Sequence, residues 1–189
     1  TPVTSADVAY TFDTNVKIGN TRGNTYKPFI DSIVPVDDKT FTIKAKLNDD
    51  GKAVNPLQLI CFLEDCYIAQ KAWIQTLETR CNNDATAMKK DAADDVVWSG
   101  PYTKYYADDQ KVVLIRDDKY WGQDASMWGK LPVPKYIAHA IYADNPATET
   151  AFKAGEIDVD QQFIANVQDL WLKDNLPIST YMDKAPWGI

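Results

Sequence analysis

Carboxylates supply most of the groups in this chain that could do chemistry. Asp49-Asp50-Gly51, Asp94-Asp95, Asp108-Asp109 and Asp117-Asp118 are adjacent acids in polar stretches. Paired carboxylates can serve general acid–base catalysis or bind calcium. A calcium loop needs oxygen ligands at alternating positions over about twelve residues and a closing glutamate, and none of the four pairs has that pattern. They read as solvated turns. Asp158 and Asp160 flank Val159 and would share one face of a strand. A glycosidase pair is built from two such carboxylates, but polarity at a strand edge explains the spacing as well. His139, the one histidine, stands between Ala138 and Ala140. A Ser–His–Asp or Cys–His arrangement would have to use it, and no GxSxG accompanies it, so it reads as a packed or surface strand histidine.

The thiols are Cys61, Cys66 and Cys81. They lack CxxC spacing and lie far in sequence from His139, which argues against zinc. Cys66 and Cys81 sit in polar surroundings and Cys61 in an apolar run, so the expected disulfide, in an exported protein, is Cys66–Cys81. Neither GxGxxG nor GxxxxGK occurs, so no glycine loop cradles a phosphate. No cofactor is expected. Six tryptophans and ten tyrosines are many for 189 residues. Trp98, Tyr102, Tyr105, Tyr106, Trp121 and Trp128 could line a ligand cleft, but core and interface packing is the preferred reading. With no nucleophile–base pair, metal cluster or cofactor motif, the residues favour binding over catalysis.

The elements that would position these groups follow from periodicity. Residues 4–18 read as a helix opened by Thr4 and Asp7 as a capping box, with Val8, Phe12 and Val16 as its apolar stripe and Gly19 and Gly23 closing it in a loop. Residues 30–36 and 40–47 alternate as a hairpin around Asp37-Asp38-Lys39, with Pro35 at an edge or bulge. Leu57 to Leu63 reads as one buried helix, and 69–80 as a helix with Trp73, Ile74 and Leu77 on one face. Residues 82–95 form a loop with a short exposed helix. After Ser99-Gly100-Pro101 a second hairpin runs through Tyr102–Tyr106 and Lys111–Arg116. An irregular stretch follows to Pro134, then a strand over 135–142. A helix capped by Asn145 starts at Pro146 and ends at Gly155. A strand is expected over Ile157–Phe163, a helix at about 165–174 and a last strand near 178–182. The chain thus divides into an α+β lobe, 1–97, and part of a mixed-sheet lobe, 98–189.

Bulk properties narrow the function classes. The net charge is −7 and apolar residues make up 45%, so this is a folded chain. No Lys/Arg-rich run appears, which excludes nucleic acid and anionic lipid as expected partners. The acidity suits a secreted surface. No apolar stretch approaches the roughly 18 residues that cross a bilayer. Both ends are abrupt, as in a fragment of something longer.

Five segments, taken in order, resemble the extracellular solute-binding proteins of peptide-type ABC transporters, the oligopeptide/dipeptide-binding family, family 5. Pro2-Val3-Thr4-Ser5-Ala6-Asp7-Val8-Ala9-Tyr10-Thr11-Phe12 is similar to the family's P-x-T-A-x-D-V-x-[YF]-[TS]-[FL] helix opening. Asp37-Asp38-Lys39-Thr40-Phe41-Thr42-Ile43-Lys44 is similar to D-D-x-T-[FV]-x-[IV]-x-L, and Ser99-Gly100-Pro101-Tyr102 to G-[TS]-G-P-Y. Leu114-Ile115-Arg116-Asp117-Asp118-Lys119-Tyr120-Trp121 is similar to L-x-R-N-x-x-Y-W, with Asp117 as a departure. Phe152-Lys153-Ala154-Gly155-Glu156-Ile157-Asp158 is similar to F-x-x-G-E-I-D. The segment 61–95, with its cysteines, is longer than the pattern.

The resemblance implies two lobes of a periplasmic-binding-protein-like type II architecture, mixed α/β and α+β, as a fragment lacking the C-terminal lobe. It implies a monomeric, non-enzymatic protein outside the cytoplasm, a periplasmic protein or a cell-surface lipoprotein whose anchor is not in this chain. Its partners would be a small peptide ligand and an ABC transporter permease. The alternatives within the family are oligosaccharide and metal-chelate binding; outside it, a secreted hydrolase using Asp158 or Asp160, or a structural or adhesion module. By position only, Tyr26, Asp65, Tyr67, Gln161 and Gln162 are the expected ligand-binding residues.

Overall fold

The computed structural model describes residues 2–160. The chain divides into two compact units, Thr1–Gly100 and Pro101–Ile189. The first opens with helix α1, Ser5–Ile18. Its start rests on one carboxylate. Asp7 Oδ2 accepts the Thr4 backbone N–H at 2.8 Å and the Thr4 hydroxyl at 2.9 Å. Its other oxygen accepts the Lys71 N–H at 2.8 Å, the first amide of helix α4, Lys71–Arg80, which has no side-chain cap of its own. Asp7 therefore closes the N-termini of two helices, each of which leaves four backbone donors unmet. Gly19, at φ 63°, ends α1 in the left-handed conformation, its N–H returning to the Asn15 and Val16 carbonyls.

Burial alone would raise the pKa of Asp7. The Lys71 and Thr4 N–H groups, the Thr4 hydroxyl and the Lys71 charge outweigh it and hold the carboxyl below its usual range. A carboxyl depressed in the folded state adds stability that is complete above its unfolded pKa and lost as pH falls through the folded one. Asp7→Ala is therefore expected to cost about 2 kcal/mol at pH 7. The deficit should shrink below about pH 4, as urea unfolding across pH will read. A deficit that stays constant down to pH 2 would exclude this role.

Helix α2, Thr21–Tyr26, follows at once, capped by Asn20, whose side chain accepts the Gly23 N–H. Gly23 thus lies inside a helix, not in the expected loop, because α2 crosses α1 there at a distance that only glycine permits. A Cβ on Gly23 would sit 2.0 Å from the Asn15 carbonyl oxygen.

Strands β1, Ile30–Asp37, and β2, Thr40–Ala45, form the antiparallel hairpin, with Ile33 opposite Ile43 and Pro35 opposite Phe41. The register shifts between Ile30 and Ser32 and again between Pro35 and Asp37. The first shift explains how Ile30 and Ile33, three apart, both reach the core, since a regular strand would send them to opposite faces. Phe41 and Ile43 pack beneath α1, and Ser5 binds the turn through its N–H to the Asp38 carbonyl and its hydroxyl to that of Asp37.

Helix α3, Leu57–Asp65, departs from expectation. Phe62 alone is buried, while Leu57, Ile60 and Leu63 stay 54–68% exposed. The apolar run made a helix, but only one of its faces meets the core. Phe62 joins Val8, Phe12, Tyr26, Ile30 and Ile33 there. Leu77 of α4, Cys81 and Met88 of the short helix α5, Ala85–Lys90, form a second cluster. The expected Cys66–Cys81 disulfide is not formed, and all three thiols are free. Cys66 packs on the first cluster, where Asn15 Nδ2 donates to its sulfur, and Cys81 belongs to the second.

In the second unit β3, Tyr102–Ala107, β4, Lys111–Arg116, and β5, Tyr136–Ala140, form a sheet in the order β3-β4-β5, antiparallel throughout. Arg116 secures the irregular stretch before β5: its guanidinium donates to the Pro132 and Val133 carbonyls at 2.8 and 3.0 Å and to Asp118 at 2.8 Å. Helix α6, Asn145–Lys153, is capped by Asp144 rather than Asn145, the carboxylate accepting the Ala147 N–H at 2.9 Å. Ile157–Asp160 are not strand; the rest of that expected strand, and the helix and strand after it, lie outside the described residues. No helix among the described residues is long and apolar enough to cross a membrane.

Candidate functional site

Two of the residues singled out from sequence meet where α2 approaches the end of α3. Tyr26, only 3% exposed, stacks edge-on against Phe62, with ring centroids 5.5 Å apart. Its hydroxyl donates to Asp65 Oδ2 at 2.9 Å and lies 3.1 Å from the Cys61 carbonyl. The same Asp65 oxygen meets the Arg22 guanidinium at 2.6 Å. Burial, and then the hydrogen bond to Asp65, push the Tyr26 hydroxyl well above the usual tyrosine range, so it stays a donor.

Arg22 was not foreseen. It stands one turn before Tyr26, the i and i+4 spacing that puts two side chains on one helix face, and that spacing was the available signal. The trio fixes the end of α3. Two residues on, Tyr67 is 89% exposed and, among the described members of the predicted set, is the one that faces solvent. Gln161 and Gln162 lie outside the described residues.

The other candidates separate. Asp95 is held by Arg80, and Asp108 accepts from the Tyr106 hydroxyl and the Gln110 and Lys111 amides. Asp117 accepts the Lys119 amide, and Asp118 pairs with Arg116. These carboxylates build turns and ion pairs. His139 is exposed on β5 opposite Val112. Among the described residues no group of three or more His, Cys, Asp or Glu could hold a metal ion. Among the described residues the aromatics near the junction do not pack as a core: Trp98, Tyr105, Tyr106, Trp121 and Trp128 are exposed. Tyr102 is half-buried and donates to the Pro134 carbonyl at 2.7 Å.

The family model for bacterial extracellular solute-binding proteins, family 5 Middle, matches residues 1–188. No curated protein matches the chain. Among solved structures it is similar to the periplasmic oligopeptide-binding protein of an oligopeptide ABC transporter from Thermotoga maritima, at 21% identity and a TM-score of 0.59, over 83% of this chain and 27% of that one. The mannohexaose-bound form of that protein matches at 22% identity and a TM-score of 0.62, over 90% and 29%. The solute-binding protein MoaA from A. tumefaciens R10, in complex with mannopinic acid, matches at 21% identity and a TM-score of 0.56, over 91% and 30%. At such identities the likeness is one of fold, and the chain spans under a third of the length of each of these structures.

Proposed function

Since the chain belongs to the bacterial extracellular solute-binding proteins of family 5, we propose that it is part of the capture component of an ABC importer, taking up oligopeptides or dipeptides outside the membrane and delivering them to the permease. The family match over residues 1–188 carries this reading, and the likeness to an oligopeptide-binding protein supports it. It is a binding role and not a catalytic one. A capture protein gains breadth by hydrogen-bonding the peptide main chain, and water exclusion strengthens each such bond.

In this reading Tyr67 touches the ligand, Tyr26 and Asp65 hold the backbone beneath it, and Gln161 and Gln162 contribute polar contacts. Oligosaccharide is the second reading, because a similar fold is described with mannohexaose bound. Calorimetry of the full-length protein against a peptide library and against oligosaccharides separates the two. Micromolar heats with peptides, weakened about tenfold by Tyr67→Ala, are expected. Heats with oligosaccharides alone would move the ligand class to sugars, and heats with neither would reject both.

A further inference from the structure

Where α1, the end of α2 and the hairpin meet, the first unit has an open cavity of about 310 Å³. Its floor is apolar: Phe12 and Ile30 are buried there and Val16 is half-buried. Its walls are charged. Lys17 closes one side, but its ammonium is already held by Glu78 and Asn83, at 2.7 and 3.0 Å. The other four charged residues, Asp13, Lys27, Asp31 and Lys46, are not neutralised locally. Among the described residues, the side chains of Asp13, Lys27 and Lys46 make no hydrogen bond or ion pair, and Asp31 accepts only the hydroxyl of its neighbour Ser32, at 3.2 Å. Burial raises the Asp13 carboxyl above its usual range, and no hydrogen bond offsets that effect.

The backbone holds these groups in place. Asp31 is the extra residue of the β1 bulge: Ile30 pairs with Ala45 and Ser32 with Lys44, and Asp31 falls between them. Bulges re-aim side chains and are common beside active sites. Lys46, just past β2, is fixed on both sides, its N–H donating to the Phe29 carbonyl at 2.8 Å and its carbonyl accepting the Val54 N–H at 2.9 Å. Lys27 follows α2 directly, its N–H bound to the Gly23 carbonyl at 3.0 Å, and Asp13 stands on α1. Two cationic and two anionic groups thus share an apolar floor. We propose that the cavity binds a free amino acid with an apolar side chain: Lys27 and Lys46 take its carboxylate, Asp13 and Asp31 its ammonium, and Phe12, Val16 and Ile30 its side chain. The volume lies at the lower end of ligand sites, which run from roughly 300 to 1,000 Å³, so it suits one residue and not an extended chain. None of Tyr26, Asp65 and Tyr67 lines it, so the site is separate from the one assigned to the captured ligand.

Methyl NMR of the full-length protein titrated with L-leucine tests the site. The Val16 and Ile30 methyls are expected to shift and to saturate with a Kd of about 1 mM, while Leu77, in the second cluster, stays still. Leucinamide lacks the carboxylate and N-acetylleucine lacks the ammonium, and each should bind roughly two- to fivefold more weakly than leucine. Lys46→Gln should weaken leucine by the same factor and leave leucinamide unchanged. Asp13→Asn should weaken leucine and leave N-acetylleucine unchanged. That crossed pattern separates contact with the ligand from damage to the fold. No shift at either methyl with leucine at about 20 mM overturns the proposal. So does binding of leucinamide or N-acetylleucine as tight as that of leucine, and so do variants that weaken all three probes alike or none of them.

Discussion

Phe62→Ala is expected to destabilise the first unit by about 3–5 kcal/mol, the largest single loss available to it. Phe62 is 1% exposed and makes edge-on contacts with two rings, Phe12 at 5.6 Å and Tyr26 at 5.5 Å between centroids. Truncation removes the buried ring and leaves a cavity that cannot collapse easily. Tyr26 is pinned through its hydroxyl to Asp65, and Ile30 is fixed in the strand beneath. The residual volume therefore adds to the lost transfer energy. Phe62→Leu, which keeps most of the volume, should cost under about 1.5 kcal/mol. Urea unfolding followed by circular dichroism reads both, and a Phe62→Ala loss below about 1 kcal/mol would mean that the aromatic cluster does not carry the core.

The second large effect reverses a familiar sign. Glycine to alanine inside a helix ordinarily stabilises by about 1 kcal/mol. Gly23→Ala should instead destabilise by roughly 1–3 kcal/mol or more. Its Cβ would lie 2.0 Å from the Asn15 carbonyl oxygen and 2.7 Å from the Val16 nitrogen, both main-chain atoms. That carbonyl already accepts the Gly19 N–H at 3.1 Å and the Asn20 N–H at 3.3 Å, so it cannot swing aside without opening the end of α1. Gly100→Ala is the matched control: a Cβ there meets nothing within 4 Å, and its effect should stay near zero. A gain in stability for Gly23→Ala would show that α2 is free to slide on α1.

Local signals carried well from sequence to structure. The capping pair Thr4 and Asp7, the stripe of Val8 and Phe12, and the alternation of Phe41 and Ile43 each concern residues within one element, and each element is where its pattern put it. What failed was long-range. The apolar run of α3 signals helix, but not how much surface arrives to cover it, so Leu57, Ile60 and Leu63 are exposed where burial was expected. The polar neighbours of Cys66 and Cys81 were equally uninformative about the two clusters that hold them apart. Helix boundaries slipped by one residue at Asp144, because two adjacent cap-forming side chains are indistinguishable until one of them meets the Ala147 amide. Of the candidate site, Tyr26 and Asp65 came from family resemblance and not from chemistry. Arg22 shares a helix face with Tyr26 by its i and i+4 spacing, but its meeting with Asp65 depends on the distance between α2 and α3, which no short-range pattern encodes.

The bonds between α1 and the region of α4 also set a timetable for biosynthesis. Asp7 meets Lys71, Thr11 meets Ala69, and Tyr10 and Lys17 meet Glu78, across separations of 58 to 68 residues. The partner of Ser5 in the hairpin turn, by contrast, is only 32 residues away. During translation at about 5–20 residues per second, α1 waits roughly 3–14 s for its second partner after it has been made. The α1–hairpin pair therefore assembles first on the ribosome, with the Asp7 carboxylate and the Thr11 hydroxyl still hydrated. α4 arrives later and displaces that water, with α5 and its Met88 still to follow, so a pause in translation just upstream of residue 69 would prolong the life of a half-built unit.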